Sequence, residues 1–288
     1  KEVAVKVQYP QVADRFNCDM WTHDVTLEIV AKVFKDWKFG WMGPEIRDNL
    51  SKELDFIHEQ KNAEAAEAFI SQYMSNVHIP QVLPKYTTKR ILTMEFIDNA
   101  VKINDLEGMK RMKIDPAEAA RTMIELFARQ MFVAGFLHAD PHPGNILVRK
   151  NKLGATELVL LDHGLYRHLP EDFRSKFCEM YRALVLKDER TVKRISREFG
   201  VQNHEIFAIL LLMRTFKTGN VGMGGKMTAK EFADLVASLR SQIKEFAEVM
   251  RTMPRELLLV LRNLNLVRSI NRELGAPVNR FVIMARIA

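Results

Sequence analysis

The stretch FLHADPHPGNILV, residues 136–148, puts His138, Asp140, His142 and Asn145 within eight positions, just before an apolar run. Three readings are open. In an extended segment His138, Asp140 and His142, at alternate positions, share one face as metal ligands do. A phosphate-transfer loop also needs a carboxylate and oxygen ligands close together. The plainest reading is a turn that Pro and Gly punctuate, with polar groups capping the backbone.

The neighbouring sequence separates these readings. Pro141 and Pro143 restrict the segment between the histidines, and only Asp162 and His163 add further ligand types nearby. That disfavours a dedicated transition-metal site. The phosphate reading gains instead. Asp140 and Asn145 are five apart, the D-x-x-x-x-N spacing of a kinase-type catalytic loop. ILV (146–148) and ELVLLD (157–162) flank RKNKLGAT and read as a hairpin that delivers Asp162 beside the loop. Gly164 is expected to permit a sharp turn there. An Asn carbonyl and an Asp carboxylate are hard oxygen ligands suited to Mg2+. A cation is expected on a strand in the N-terminal half, and VAVK (3–6) offers Lys6. Its partner should be an acid on a helix; Glu53, Asp55, Glu59, Glu64 and Glu67 all stand in the helical run 45–74.

The chain has 288 residues, 47% of them hydrophobic, enough for a substantial core in one large domain or two lobes. Two distant cysteines, Cys18 and Cys178, make no disulfide framework and no zinc pattern. The formal net charge of +7 favours anionic partners, or is a surplus spread over the surface. No apolar run reaches the length of a bilayer span. KEVAVKVQYP opens inside a strand-like pattern without an initiator Met, so the chain reads as missing its natural beginning.

VAVKV (3–7) reads as a strand ended by Pro10, with helical spacing over 11–36 and a connector from Trp37 to Pro44. A helix over 45–74 precedes strand candidates HIPQVL (78–83) and RILTMEFI (90–97). Residues 99–114 read as a linker with a short helix, and Pro116 opens a helix to about 134, ended by Gly135. From Pro170 the pattern is helical, with breaks near Gly200, 218–226, Pro254 and Gly275–Pro277. The expected layout is α+β, with a mixed half (1–97) and a mostly helical half (98–288).

VAVKVQYP, KELDFIHEQKNAEAA, ILTMEFI, FLHADPHPGNILV and LLDHGLYR together resemble the UbiB family of aarF-domain atypical kinases, closest to the animal aarF domain-containing kinase 1 subfamily. The resemblance implies a protein-kinase-like fold with a truncated small N-terminal lobe. It implies that Lys6 holds the α- and β-phosphates of ATP with Glu59 as its partner, and that Glu53 and Asp55 form the family's E-x-D element. Met94 would line the adenine pocket, and Glu95 to Ile97 would be the hinge. Asp140 would be the catalytic aspartate, Asn145 and Asp162 the Mg2+ ligands, and His138 and His142 supports of the loop.

The same resemblance implies ATP/ADP and a lipid or quinone-related small molecule as partners, peripheral membrane contact, no nucleic acid, and a mitochondrial location. The alternative is a non-catalytic nucleotide-sensing or scaffolding module. Some features depart from typical protein kinases: Ala139 stands where they carry Arg, His163 where they carry Phe, and no A-P-E follows Asp162. The family's nucleotide-covering loop and K-x-G-Q element precede VAVK and are not in this sequence. GNVGMGGK (219–226) is not a Walker A, because Asn220 and Met227 break it, and reads as a connector. The Leu-rich stretch RELLLVLRNLNLVRSINR reads as a packed helix, with an anionic membrane surface as the other option.

Overall fold

The structure, a computed structural model, describes residues 2–33, 42–140, 142–214, 233, 236–237 and 242–288. GNVGMGGK (219–226) and most of the 37–44 connector lie outside these residues. The chain divides into two units: residues 1–69, 79–98 and 161–165, and residues 70–78, 99–160 and 166–288.

In the first unit β1 (Val3–Val7) pairs antiparallel with the strand Ile91–Glu95, placing Lys6 opposite Leu92 and Ala4 opposite Met94. Pro10 does more than end β1. It opens α1 (Pro10–Val33), since a first-turn Pro loses no helical hydrogen bond. The run 45–74 is two helices rather than one: α2 (Met42–Glu53) and α3 (Phe56–Tyr73), whose last turn belongs to the second unit. Asp55 is the reason. Its Oδ1 accepts the N–H of Ile57 at 3.0 Å, the N-cap bond that starts a new helix. The Leu54 carbonyl takes the Gln8 side-chain amide at 3.2 Å, and the Phe56 N–H donates to Lys89 O at 3.1 Å. The interruption therefore leaves these backbone groups paired.

In the second unit β2 (Val77–His78) runs parallel to the strand Thr156–Leu160; that strand pairs antiparallel with Ile146–Lys150, which pairs with Ala100–Lys102. With Ile91–Glu95 as β3, these are β7, β6 and β4. Only the first residue of HIPQVL belongs to β2; Val82 bridges to Met94 in the first unit. The expected hairpin is β6–β7, turned by Asn151, whose Oδ1 accepts from Leu153 and Ala155 N–H. A second ladder, β5 (Phe136–His138) with β8 (Tyr166–His168), had no clear sequence signal.

The core of this unit forms around α5 (Pro116–Arg129), which follows the short α4 (Leu106–Arg111). Asp115 caps α5, and Met123, Ile124, Leu126 and Phe127 are fully buried. The helix expected to reach 134 changes to a π-turn over Gln130–Ala134 and stops at Gly135, whose φ is 59°. A Cβ there would also stand 3.3 Å from the Leu169 carbonyl, so position and conformation both call for Gly. Among the described residues, helices α6 (Glu171–Leu186), α7 (Glu189–Glu198), α8 (His204–Leu212), α9 (Ile243–Thr252), α10 (Arg255–Glu273) and α11 (Arg280–Ile287) follow. Leu257, Val260, Leu261, Leu264, Val267 and Ile270 of α10 are buried, so the Leu-rich stretch packs its apolar face inside the unit. Among the described residues no helix is long and apolar enough to cross a membrane.

Candidate functional site

Lys6, Glu59 and Asp162 come together in the first unit. On β1 the residue alternates with the exposed Val5 and Val7 and so points to the opposite face. Its Nζ donates to both carboxylate oxygens of Glu59 at 3.0 Å and lies 3.7 Å from Asp162 Oδ1. The Phe56 ring covers it at 5.2 Å from the centroid. The side chain of Glu59 is 3% exposed, against 39% for Lys6 and 41% for Asp162. Burial raises the Glu59 carboxyl above its usual range; Lys6 pulls it back and Asp162 pushes it further up. The cluster thus holds an accessible cation against a buried anion, beside an accessible carboxylate.

Asp162 follows β7 and takes a left-handed backbone, φ 52°. The sharp turn falls on Asp162, not on Gly164, whose φ is not positive. The reason is local: Asp162 Oδ1 accepts the Gly164 N–H at 3.1 Å, an Asx turn that Asp tolerates better than most residues. Two residues of α3 hold the backbone of the next residue. Glu59 Oε1 accepts the His163 N–H at 3.4 Å, and Asn62 Nδ2 donates to the His163 carbonyl at 2.9 Å. Asn62 was missed in the sequence, though its place three residues after Glu59, on the same helix face, was the available signal.

The Asp140 loop belongs to the second unit. Gln130 Oε1, in the π-turn, accepts the His138 N–H at 3.4 Å. The buried His138 ring packs on Tyr166 at 5.0 Å, and its Nδ1 accepts the Asp140 N–H at 3.2 Å. His142 Nδ1 accepts the Gly144 N–H at 3.0 Å. Both rings therefore bond backbone, and among the described residues no group of three or more His, Cys, Asp or Glu could hold a metal. Asn145 ends a 3-10 turn over Pro143–Asn145, with its N–H on the His142 carbonyl at 2.9 Å. The Asp140 carboxylate is exposed and pairs with the guanidinium of Arg262 from α10, a contact without sequence signal.

Met94 and Glu95 close β3, and Ile97 lies just beyond it, half-buried. The Glu95 N–H already donates to Gln81 O at 2.9 Å, and Glu95 Oε2 accepts the Gln81 N–H at 3.3 Å. Backbone donors for an adenine ring would have to come from the residues after it.

The ABC1 atypical kinase-like domain matches residues 1–196. Over 290 residues the chain is 44% identical to the probable serine/threonine-protein kinase abkD of Dictyostelium discoideum, covering 100% of this chain and 41% of that protein. It is 36% identical over 291 residues to AarF domain-containing protein kinase 1 of Xenopus tropicalis, covering 99% of this chain and 55% of that one. The chain spans about half the length of the curated relatives it matches. A solved structure, the complex of Rv3197 with erythromycin from Mycobacterium tuberculosis, matches with a TM-score of 0.63 at 17% identity, over 95% of this chain and 68% of that one, a likeness of fold. The AarF and ABC1 names agree with the UbiB resemblance of the motifs. With its α+β, protein-kinase-like fold and a family match over most of its length, the chain belongs to the ABC1 atypical kinase-like family.

Proposed function

We propose that the chain binds ATP and transfers its γ-phosphoryl group to a small-molecule or lipid acceptor, or to water. The observation that carries this is the Lys6–Glu59–Asp162 cluster: a buried carboxylate fixes an accessible ammonium beside an accessible carboxylate. Lys6 would meet the α- and β-phosphates, with Glu59 setting its position. Asp140 would orient the acceptor and take its proton as the acceptor oxygen bonds the γ-phosphorus and the bond to ADP breaks.

Mg2+, when bound, supplies positive charge against the phosphate oxygens. The residues fit it. Asp162 and Asn145 are partly exposed oxygen donors. Mg2+ is commonly held by one or two protein oxygens together with phosphates and waters, and a cage of several protein side chains is not required.

A small acceptor is favoured over a peptide by the short link from Gly164 to α6. Only residues 165–170 lie between them, and β8 takes up half of these. The mitochondrial location, the lipid or quinone-related acceptor and a peripheral membrane contact are part of the same proposal, carried from the family resemblance.

The test is thermal unfolding with and without Mg-ATP and Mg-ADP, followed by turnover of the full chain. A ligand at about one hundred times its Kd stabilises the native state by about 2.7 kcal/mol. We expect a Mg-dependent rise in Tm that Asp162→Ala abolishes, and turnover that Asp140→Asn lowers by about 100- to 10,000-fold. Binding with turnover unchanged in Asp140→Asn would overturn the catalytic reading and leave a nucleotide-sensing module.

A further inference from the structure

Two adjacent residues of α10 grip the Asp140 loop from a helix beyond the matched family region of 1–196. Arg262 Nη2 pairs with Asp140 Oδ1. Asn263, fully buried, donates Nδ2 to the His138 carbonyl at 3.0 Å. Together they hold both ends of the 138–140 segment. Residues 136–148 contain neither Lys nor Arg, and both imidazoles accept backbone N–H bonds through Nδ1.

The side chains of Arg262 and Asp140 are 56% and 52% exposed. An ion pair that open to solvent adds little to folding stability. Its consequence is geometric. A planar guanidinium held on Oδ1 restricts rotation of the carboxylate. Asn263 has a separate part: its bond to the His138 carbonyl is buried and anchors the backbone that carries Asp140.

We propose that Arg262 is the positioning residue of Asp140, delivered to the loop by α10 of the same chain, and that it sets the carboxylate for the acceptor hydroxyl or water. This rests on the phosphoryl-transfer reading above. Arg262 would act through Asp140 and not on the nucleotide.

The experiment compares kcat, KM for ATP and Tm for the full chain and for Arg262→Gln, Arg262→Lys, Asp140→Asn and the double variant Asp140→Asn/Arg262→Gln. Misplacing a reacting group by about 1 Å costs on the order of 100-fold in rate. We expect Arg262→Gln to lower kcat by roughly 10- to 100-fold with KM for ATP and Tm unchanged. Arg262→Lys should recover part of the loss, because the contact uses a single carboxylate oxygen. The double variant should be no slower than Asp140→Asn alone. A wild-type kcat in Arg262→Gln would overturn the proposal, and so would a further fall in the Asp140→Asn background, which would put the guanidinium on a phosphate. Absent wild-type turnover, or turnover indifferent to Asp140→Asn, would overturn the phosphoryl-transfer reading and this inference with it, without reference to Arg262.

Discussion

Asn62 donates its side-chain amide to the carbonyl of His163 at 2.9 Å, across 101 residues of chain. Glu59, three residues earlier on α3, accepts the N–H of the same His163. Both backbone polar groups of one residue, on the two peptides that flank it, are thus held by a single helix face, and the backbone of the D-H-G turn is fixed from outside. Asn62→Ala removes this donor from the His163 carbonyl and should cost about 0.5–1.5 kcal/mol, the usual net contribution of one hydrogen bond. Urea unfolding measures it, and a loss below a few tenths of a kcal/mol would show that the bond does not anchor the turn.

Lys6 and Glu59 should respond unequally to removal. Lys6→Met leaves a buried carboxylate without its cation, whereas Glu59→Gln leaves a lysine that is still solvated and still near Asp162. Lys6→Met should therefore destabilise more than Glu59→Gln, and Lys6→Met/Glu59→Gln should recover part of the loss. Equal losses in the two single variants, by urea unfolding, would contradict the burial asymmetry.

Because burial raises the Glu59 carboxyl, its contribution to stability is fully present below the ordinary Glu value of 4.5 and is lost as pH rises through the raised value. Glu59→Gln lacks this titration. Its stability relative to the native chain should rise as pH increases from ~4 to ~7. A difference that is flat or falls over that interval would reverse the assigned sign.

Asp162 separates backbone from chemistry. Asn can keep the left-handed φ of 52° and still accept the Gly164 N–H, but it loses the charge. Asp162→Asn should hold stability close to the native chain, while Asp162→Ala should cost about 1–2 kcal/mol from left-handed strain. Mg-dependent nucleotide binding, read by calorimetry, should vanish in both. Binding retained by the Asn variant would remove Asp162 from the metal assignment.

Gly135 makes a prediction about loop support alone. Its φ is 59°, and a Cβ would meet the Arg174 side chain at 3.1 Å and the Leu169 carbonyl at 3.3 Å. Gly135→Ala should cost at least about 1–2 kcal/mol in left-handed strain, with crowding added. The stability loss should appear in thermal unfolding even without nucleotide.

The sequence by itself determined the features that rest on near neighbours. The Lys6 strand, the β6–β7 hairpin, α5 with its Pro start and Gly stop, and the polar loop at 138–145 all follow from periodicity and turn chemistry within a few residues. The break at Leu54–Asp55 was also written locally, in an aspartate placed to cap α3, but an uninterrupted helical pattern hid it. Helical spacing groups Glu59 with Asn62, yet it leaves five acids in 45–74 as equal candidates for Lys6. Only the tertiary structure turned the Glu59 face toward β1, because burial of Phe56, Ala63, Ala66 and Ile70 fixes the rotation of α3. The same holds for Arg262 and Asn263, which reach the Asp140 loop from more than a hundred residues away. Such contacts arise from packing of whole elements, and no local pattern encodes which side chain a distant helix brings to a loop.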